Sequence, residues 1–258
     1  MSPFDQDRFR ERERYDKRAQ AQLAQSTTLL GPHGAISQPL VIRRPYVVYE
    51  DFIRRSTQLG FRAIDLCCGT GLYSFIAASA GAAVTASDIA EHNLLLAQQR
   101  AARAAIPLET VEADAEHVPL PDASFDLVTC AGSLSYVDIQ SFLSEVTRLL
   151  RPGGWFVCVD SLNHNPVYRA NRYWAYLRGR RTRSTLRRMP TLTTVAALQD
   201  TFIETEASFH GSLSFLAPLL KPIWGESRTA FWLDAWDDRH PAWCPWAFKF
   251  VFRGRKRV

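Results

Sequence analysis

Three aspartates at the ends of short apolar stretches could bind a nucleotide. Asp65 lies in an apolar run that ends in a tight turn containing Gly69 and Gly71. Asp88 ends a second run, and Asp114 follows a third. A strand, a glycine turn and a helix in that order present backbone N–H groups and a helix N-terminus to a ligand. A carboxylate at the end of the second strand can accept hydrogen bonds from both ribose hydroxyls. This spacing indicates a nucleotide-binding α/β sheet.

Alternating strands and helices must position these acids. Apolar runs predict buried strands, and segments with helical spacing lie between them. The predicted strands begin at residue 63 and then cover residues 82–86, 107–112, 125–130, 155–159, 203–210 and 246–252. The predicted helices cover residues 91–104, 139–150 and 193–202, and Pro45 begins an earlier one. This alternation is typical of a parallel, doubly wound sheet.

Further motifs identify the class of sheet. Asp114 is followed by Ala115, residues 119–128 read PLPDASFDLV, and residues 149–154 read LLRPGG. Together with the glycine turn and the acids, they resemble the class I S-adenosylmethionine (SAM)-dependent methyltransferases over roughly residues 60–160. Cys67 departs from that pattern, since the family often has glycine there. Cysteine is small, so we expect only a slightly tighter loop.

The resemblance implies a Rossmann-like, seven-stranded α/β sheet with its last strand antiparallel, and SAM as the cofactor. Gly69 and Gly71 would let the backbone approach the methionine part of SAM, and Asp65 would orient the loop or meet the amino group. Asp88 would hold the ribose, and Asp114 would meet the adenine amine. The full predicted cofactor set is Asp65, Cys67, Gly69, Gly71, Asp88, Ile89, Asp114, Ala115, Ala131 and Ser133.

Candidate catalytic residues follow the fourth and fifth strands, where ligands bind in such sheets. Methyl transfer to a hydroxyl requires alignment and removal of a proton. We predict His164 as the general base, because imidazole titrates near neutral pH. A histidine that caps the turn before Pro166 is the alternative. Asp160 and Tyr136 are further catalytic candidates, and the other histidines considered as the base are His117 and His210.

A second resemblance suggests the acceptor. Residues 163–191, together with residues 15–19 and 44–46, resemble a subset of these enzymes associated with bacterial surface-polysaccharide gene clusters. That resemblance implies a sugar hydroxyl in a glycan or activated saccharide as the methylated group. The predicted substrate contacts are Tyr15, Arg18, Tyr46, Asn163, Tyr168, Arg169 and Arg172.

The positive charge is concentrated in one segment. The net charge is +5, yet residues 161–190 contain eight arginines and no acidic residue, so the rest of the chain is net acidic. Arginine forks bind phosphate, as a diphosphate-linked sugar would offer. The predicted helix there places Val167, Ala170, Trp174 and Leu177 on one apolar stripe, with the arginines elsewhere. There are two alternatives. The helix could lie on an anionic membrane surface, or its basic face could be solvated while the apolar stripe packs on the core.

Composition limits the remaining possibilities. The five cysteines lack metal-ligand spacing, so we predict no metal site and no disulfides. No apolar run could span a bilayer and the charged N-terminus is no secretory signal, so we predict a cytoplasmic protein. We predict an N-terminal helical arm over residues 1–60 and a methyltransferase domain over 61–258. Within that domain, residues 161–192 form the basic segment and residues 211–242 an aromatic cap.

Other functions stay open at this stage. A small-molecule or peptide natural-product methyltransferase would carry a dry, aromatic pocket. An RNA methyltransferase is suggested only by the arginines, which lack the aromatic interleaving of RNA-binding modules, so we do not expect nucleic acid as a partner. A catalytically silent binding subunit would not be expected to retain Gly69, Gly71, Asp88 and Asp114.

Overall fold

A seven-stranded sheet forms the centre of the computed structural model, which describes residues 3–24 and 34–258. The spatial order of its strands is β3-β2-β1-β4-β5-β7-β6. Only β7 runs antiparallel to its neighbours. In chain order the strands are β1 Arg62–Leu66, β2 Ala83–Asp88, β3 Glu109–Glu112, β4 Phe125–Ala131, β5 Leu150–Ser161, β6 Ile203–His210 and β7 Lys249–Arg255. The predicted doubly wound sheet with an antiparallel last strand is confirmed.

Helices cover both faces of this sheet. Those of the described residues are α1 Pro3–Ala24, α2 Arg44–Arg55, α3 Ser74–Ser79, α4 Glu91–Ala104, α5 Ile139–Leu149, α6 Pro166–Leu177, α7 Arg183–Arg187, α8 Leu192–Thr201, α9 Ala217–Trp224 and α10 Glu226–Arg239. Local sequence explains several starts. The Asp138 side chain caps α5 by accepting from the backbone N–H of Ser141 at 3.1 Å. Asn165 caps α6, with Pro166 as its first residue.

The central strands alternate their side chains between two apolar layers. In β5, Phe156 and Cys158 pack in one layer, which includes the rings of Phe142, Phe202 and Phe252. Val157 and Val159 point to the other layer, against α2 and α3. All four of these β5 side chains are fully buried. Burial on both faces explains why residues 155–159 of β5 are all apolar.

Strand β5 begins earlier than the sequence predicts. It starts at Leu150 and runs through the Pro152-Gly153-Gly154 segment, which we expected only to end the preceding helix. A register shift between Phe125 and Leu127 accommodates the extra length. A Cβ at Gly154 would lie 3.0 Å from the carbonyl oxygen of Asp126, so the segment passes close to β4 where glycine fits.

Helix α6 exposes its apolar stripe, which contradicts the alternative of a stripe packed on the core. The side chains of Trp174 and Leu177 are 54% and 61% exposed, and Val167 is exposed as well. The buried residues of this helix are instead Tyr168 and Arg172. Arg172 lies off the apolar stripe, as predicted, but on the buried side of the helix. It lies inside because its guanidinium donates to the backbone carbonyl of Leu162 at 2.8 Å.

Helix α1 and the aromatic cap lie outside the sheet. Helix α1 docks on α4, where Ala19 and Leu23 contact Leu96. Of the predicted arm, residues 1–2 and 25–33 lie outside the described part. The predicted aromatic cap contains α9 and α10, and its tryptophans pack on one another, Trp232 against Trp224 and Trp236. No helix within residues 3–24 and 34–258 combines the length and apolarity needed to cross a bilayer.

The glycine turn yields a stability prediction. Gly69 and Gly71 both have positive φ, at 53° and 75°. A Cβ at Gly71 would lie 2.9 Å from Cβ of Ala97, whereas a Cβ at Gly69 would meet nothing within 4 Å. We expect Gly71→Ala to lower the free energy of unfolding by roughly 2–4 kcal/mol, through strain plus overpacking. The matched Gly69→Ala variant should lose only about 1 kcal/mol. Urea unfolding without ligand measures both, and equal losses would contradict the contact with Ala97.

Candidate functional site

A cavity of about 280 Å³ lies at the carboxyl ends of β1, β2 and β4. The sheet order reverses direction between β1 and β4, and ligands bind at such points in open α/β sheets. The loop after β1 and the ends of β2 and β4 form one side. Helix α1, the loop after β4 and helix α7 form the other side. The cavity is therefore bounded both by the strands of the sheet and by segments outside the sheet, namely α1, the loop after β4 and α7.

Asp65 anchors the first loop from within β1. Its carboxylate accepts hydrogen bonds from the Ser74 hydroxyl at 2.6 Å and the Thr129 hydroxyl at 2.9 Å. These bonds tie the start of α3 and the neighbouring strand to β1. Burial raises the pKa of Asp65 to about 6, against the opposing effect of the two hydroxyl donors. Ionisation of Asp65 is therefore unfavourable unless a cationic group lies close to its carboxylate.

Asp88 holds the glycine turn and the start of α4 together. One carboxylate oxygen accepts from the backbone N–H of Gly69 at 2.9 Å. The other accepts from the N–H of Ala90 at 2.9 Å and from the Asn93 amide at 3.1 Å. Burial raises the pKa of Asp88, while these donors lower it. The same carboxylate lines the cavity, so it is rigidly placed for a ligand.

Most of the predicted cofactor residues meet in this cavity. Those that line it are Asp65, Cys67, Gly69, Asp88, Ile89, Asp114, Ala115, Ala131 and Ser133. Gly71 does not line it and instead lies against Ala97 of α4. Cys67, at φ 54°, adopts the left-handed conformation that explains why the family often has glycine at this position. Asn93 also lines the cavity and was missed, although its place near the start of a helix after Asp88 could have indicated it.

The other side of the cavity carries hydrogen-bonding side chains. Helix α1 contributes Glu11 and Tyr15, and the loop after β4 contributes Tyr136. The two phenol oxygens lie 2.8 Å apart, and the rings meet edge to face. Burial is the main cause that raises the pKa of Tyr136, and the neighbouring Tyr15 adds to it. Glu11 is buried and ion-paired with Arg14. Tyr136 and Tyr15 were predicted, whereas Glu11 was missed.

The predicted base and its neighbours lie elsewhere. His164 is exposed, and its Nε2 accepts from the backbone N–H of Leu192 at 2.9 Å, at the start of α8. Asp160 is buried and accepts from the N–H of Leu134 at 2.7 Å, so it positions the loop after β4. Asn163 accepts from the Arg172 guanidinium at 3.0 Å. None of the three predicted residues lines the cavity.

The alternative histidines are also outside the cavity lining. His117 is exposed and pairs through its backbone with Asp114. His210 is buried, and burial followed by the charge of Arg44 lowers its pKa to about 4. A histidine that stays neutral in the protein interior, away from the cavity, is placed for packing.

Of the predicted substrate contacts, only Tyr15 lines the cavity. Tyr46 stacks on Tyr73, a lining residue, with ring centroids 5.5 Å apart. The Tyr168 hydroxyl donates to the carbonyl oxygen of Gly211 at 2.8 Å. The exposed arginines Arg18 and Arg169 lie on outer surfaces, and Arg172 is buried. The other six predicted contacts do not line the cavity.

Comparison with known proteins bears on the middle of the chain. Residues 64–158, which are 95 of the 258 residues, match a protein-family model described as "Methyltransferase domain". This segment is therefore similar to methyltransferase domains. The structure also resembles that of geranyl diphosphate C-methyltransferase from Streptomyces coelicolor, solved with S-adenosyl-L-homocysteine. The TM-score is 0.59 and the identity 16%, over 84% of this chain and 81% of that one. The predicted resemblance to class I methyltransferases and the fold class are confirmed.

Curated relatives carry methyltransferase names as well. A demethylmenaquinone methyltransferase of Geobacillus kaustophilus is 36% identical over 118 residues, which are 43% of this chain and 50% of the relative. A ubiquinone biosynthesis O-methyltransferase of Paracidovorax citrulli is 40% identical over 112 residues, or 41% and 45% of the two chains. The chain spans about half the length of the curated relatives it matches. The similarity supports a SAM-dependent methyltransferase domain, as predicted.

The residues present fit SAM. Space is open where a side chain at Gly69 would be, so the backbone can approach the methionine part. Asp88 offers carboxylate oxygens that could accept from the ribose, and Asp114 and Ala115, the residues predicted to meet adenine, line the same cavity. Among the residues that the structure describes, no group of three or more His, Cys, Asp or Glu could hold a metal ion.

The pKa of Asp65 leads to a pH prediction for SAM binding. If the Asp65 carboxylate meets the amino group of SAM, binding requires its ionised form. Because the pKa is raised to about 6, affinity should be constant above that pH and fall about tenfold per pH unit below it. Calorimetric titration between pH 5 and 8 measures this. The Asp65→Asn variant should bind weakly with a flatter profile, and an unchanged slope would assign the pH dependence to another group.

Proposed function

We propose that this protein transfers a methyl group from SAM to a hydroxyl of a polar small molecule, with a saccharide as the favoured class. One observation carries the proposal. The wall opposite the cofactor residues comes from α1, α7 and the loop after β4, and it presents a carboxylate, two phenols, two hydroxyls and two arginines. These side chains are Glu11, Arg12, Tyr15, Tyr136, Ser184, Thr185 and Arg188. Such a wall suits an acceptor with several hydroxyls, and tyrosine rings also stack on sugars.

The proposed chemistry needs one proton acceptor. SAM supplies an electrophilic methyl group on a cationic sulfonium, which is a good leaving group. The acceptor oxygen forms a bond to the methyl carbon as the sulfur–carbon bond breaks, and the hydroxyl proton passes to a base. Glu11 is the carboxylate on the acceptor wall, so we assign it this role. The hydrogen-bonded pair of Tyr15 and Tyr136 would orient the acceptor hydroxyl, because the raised pKa keeps Tyr136 protonated.

Glu11 thus replaces His164 as our proposed base. His164 accepts a backbone hydrogen bond at the start of α8 and does not line the cavity. Asp160 supports the loop that leads to Tyr136 by accepting from Leu134, so its contribution to catalysis would be through position. Tyr136 keeps the catalytic role predicted for it, as a group that contacts the acceptor.

A quinone ring is the second candidate acceptor, because curated relatives are named as methyltransferases of quinone biosynthesis. Their likeness covers less than half of this chain. The family match runs from residue 64 to residue 158, so α1 and α7 lie outside it. The relatives therefore inform the cofactor side more than the acceptor wall, which is why the polar acceptor is favoured. A small-molecule or peptide natural product would be a third outcome.

The test uses purified protein with methyl-labelled SAM. Acceptors are nucleotide-diphosphate hexoses, a demethylated menaquinone with a short side chain, and fractionated lysate of the source organism. We expect label in a saccharide fraction, as a methyl ether. Label on a ring carbon of the quinone would overturn the polar acceptor and leave the methyltransferase assignment intact. Recovery of the activity from the cytoplasmic fraction would test the predicted location.

A further inference from the structure

A second cavity, of about 410 Å³, lies beside the first between α1 and the segment that joins α6 to α7. Four arginines line it, two from α1 and two from the joining segment and the start of α7. These are Arg10, Arg14, Arg181 and Arg183. Glu11 lines this cavity and also the first one, so the basic cavity and the proposed methyl-transfer site share this side chain.

The charges around the basic cavity do not cancel. Glu11 is the acidic residue of its lining, and it is ion-paired with Arg14. Among the described residues, neither Arg181 nor Arg183 forms an ion pair with a carboxylate. The recorded hydrogen bond of Arg181 goes to the thioether sulfur of Met189, which is a weak acceptor. These two guanidinium groups without a carboxylate partner favour an anion.

The walls of this cavity are held in place. Arg14 donates to the backbone carbonyl of Arg180 at 2.7 Å, which fastens the joining segment to α1. The positive charge of Arg181 also reaches neighbouring groups. The pKa of Arg172 is lowered to about 10, first by burial and second by the charge of Arg181. Arg181 also opposes the rise in the pKa of Tyr136 in the first cavity. The two cavities therefore share both a wall and an electrostatic field.

We propose that the basic cavity binds a phosphate or diphosphate group of the acceptor, whose hydroxyl then lies in the first cavity beside Glu11. This proposal rests on the proposed function and names its substrate class, a phosphorylated polar molecule. Arginine forks suit phosphate because two parallel N–H groups can meet two oxygens. The site differs from the predicted phosphate contacts, because Arg169 lies on an outer surface and Arg172 is buried in bonds to backbone and Asn163.

Inorganic pyrophosphate is the probe, and binding is measured by calorimetry at constant ionic strength. The cavity variant is Arg181→Ser with Arg183→Ser. The matched control is Arg169→Ser with Arg187→Ser, which removes the same charge from side chains that line neither cavity. We expect the cavity pair to weaken pyrophosphate binding by tenfold or more, and the control pair by less than threefold. S-adenosylhomocysteine should bind all three proteins alike, and binding of both ligands together should be additive.

Three outcomes would overturn the proposal. The first is that wild-type protein does not bind pyrophosphate. The second is that the cavity pair and the control pair lose pyrophosphate affinity equally, which would indicate general electrostatic attraction. Binding to vesicles of phosphatidylglycerol that depends on the cavity pair, without pyrophosphate binding, would assign the arginines to a lipid surface instead. If the double variant does not fold, the single Arg183→Ser variant, at an exposed side chain, should still lose threefold or more. These measurements require no methyl transfer, so they fail independently of the proposed function.

Discussion

Replacing Asp88 with alanine should weaken SAM binding by roughly 30- to 800-fold, on the order of 2–4 kcal/mol. The carboxylate is placed to accept the ribose hydroxyls, and its loss removes charge-assisted hydrogen bonds. It also releases the backbone N–H of Gly69 and the amide of Asn93, which Asp88 now holds. The loop that faces the methionine part should therefore lose its shape along with the ribose contact.

Calorimetry of SAM or S-adenosylhomocysteine binding measures the Asp88 effect. Asp88→Asn keeps an acceptor oxygen and should show a smaller loss. Asp122→Ala is the matched control, because that aspartate is exposed, pairs with Arg148 and does not line the cavity. Unchanged affinity in Asp88→Ala, or an equal loss in the control, would refute the ribose assignment.

Replacing Glu11 with glutamine should lower turnover about 100-fold or more while SAM affinity stays within threefold of wild type. Glutamine has nearly the same shape but cannot take the acceptor proton, so the loss should appear in kcat. Glu13→Gln is the matched control, since Glu13 is exposed on the same helix and lines neither cavity. Initial rates with the acceptor identified by labelling give the comparison.

His164→Ala separates the two candidate bases. That histidine lies at the start of α8, so its loss should reduce stability slightly and leave turnover close to wild type. A 100-fold loss in His164→Ala together with normal turnover in Glu11→Gln would restore the base predicted from sequence. A loss in Glu13→Gln equal to that in Glu11→Gln would point to a general effect of charge on α1.

The cofactor side could be predicted because its determinants are local. Asp65, Asp88 and Asp114 each follow or lie in an apolar run, and the carboxyl ends of parallel strands meet at one edge of the sheet. Their convergence therefore depends only on strand order, which the right-handed crossover rule limits strongly. Gly69 and Asp88, 19 residues apart in the chain, meet for that reason.

The acceptor side could not be predicted because it depends on how distant segments dock. Residues 5–25 read as a charged, solvated helix, and the sequence contains no periodic apolar face there to indicate burial of Glu11. Helix α1 is brought to the cavity by contacts with distant segments, among them Ala19 and Leu23 against α4, more than 70 residues away, and Arg14 against the carbonyl of Arg180. An apolar cluster of so few residues cannot be recognised from the sequence.

The basic segment shows a different limit. Periodicity correctly identified the apolar stripe on α6, and helical apolar stripes usually face a core. Here the stripe faces outward, and the buried positions are Tyr168 and Arg172. Arg172 is accommodated because its charge meets the carbonyl oxygen of Leu162 and the side-chain oxygen of Asn163. Which face of an amphipathic helix is covered depends on partners that its own sequence does not specify.

The shallow docking of α1 has a thermodynamic consequence. This helix supplies Glu11 and Tyr15 to the cavity. Among the described side chains, the apolar cluster between it and α4 consists of Ala19, Leu23 and Leu96, and further contacts of the helix are polar. A helix held by so small an apolar cluster would exchange with an undocked state more readily than the core helices do. Only the docked fraction of molecules presents a complete acceptor site, so the apparent affinity for the acceptor is the intrinsic affinity multiplied by that fraction. A substrate that contacts α1 would therefore shift this equilibrium toward the docked state and so complete its own binding site.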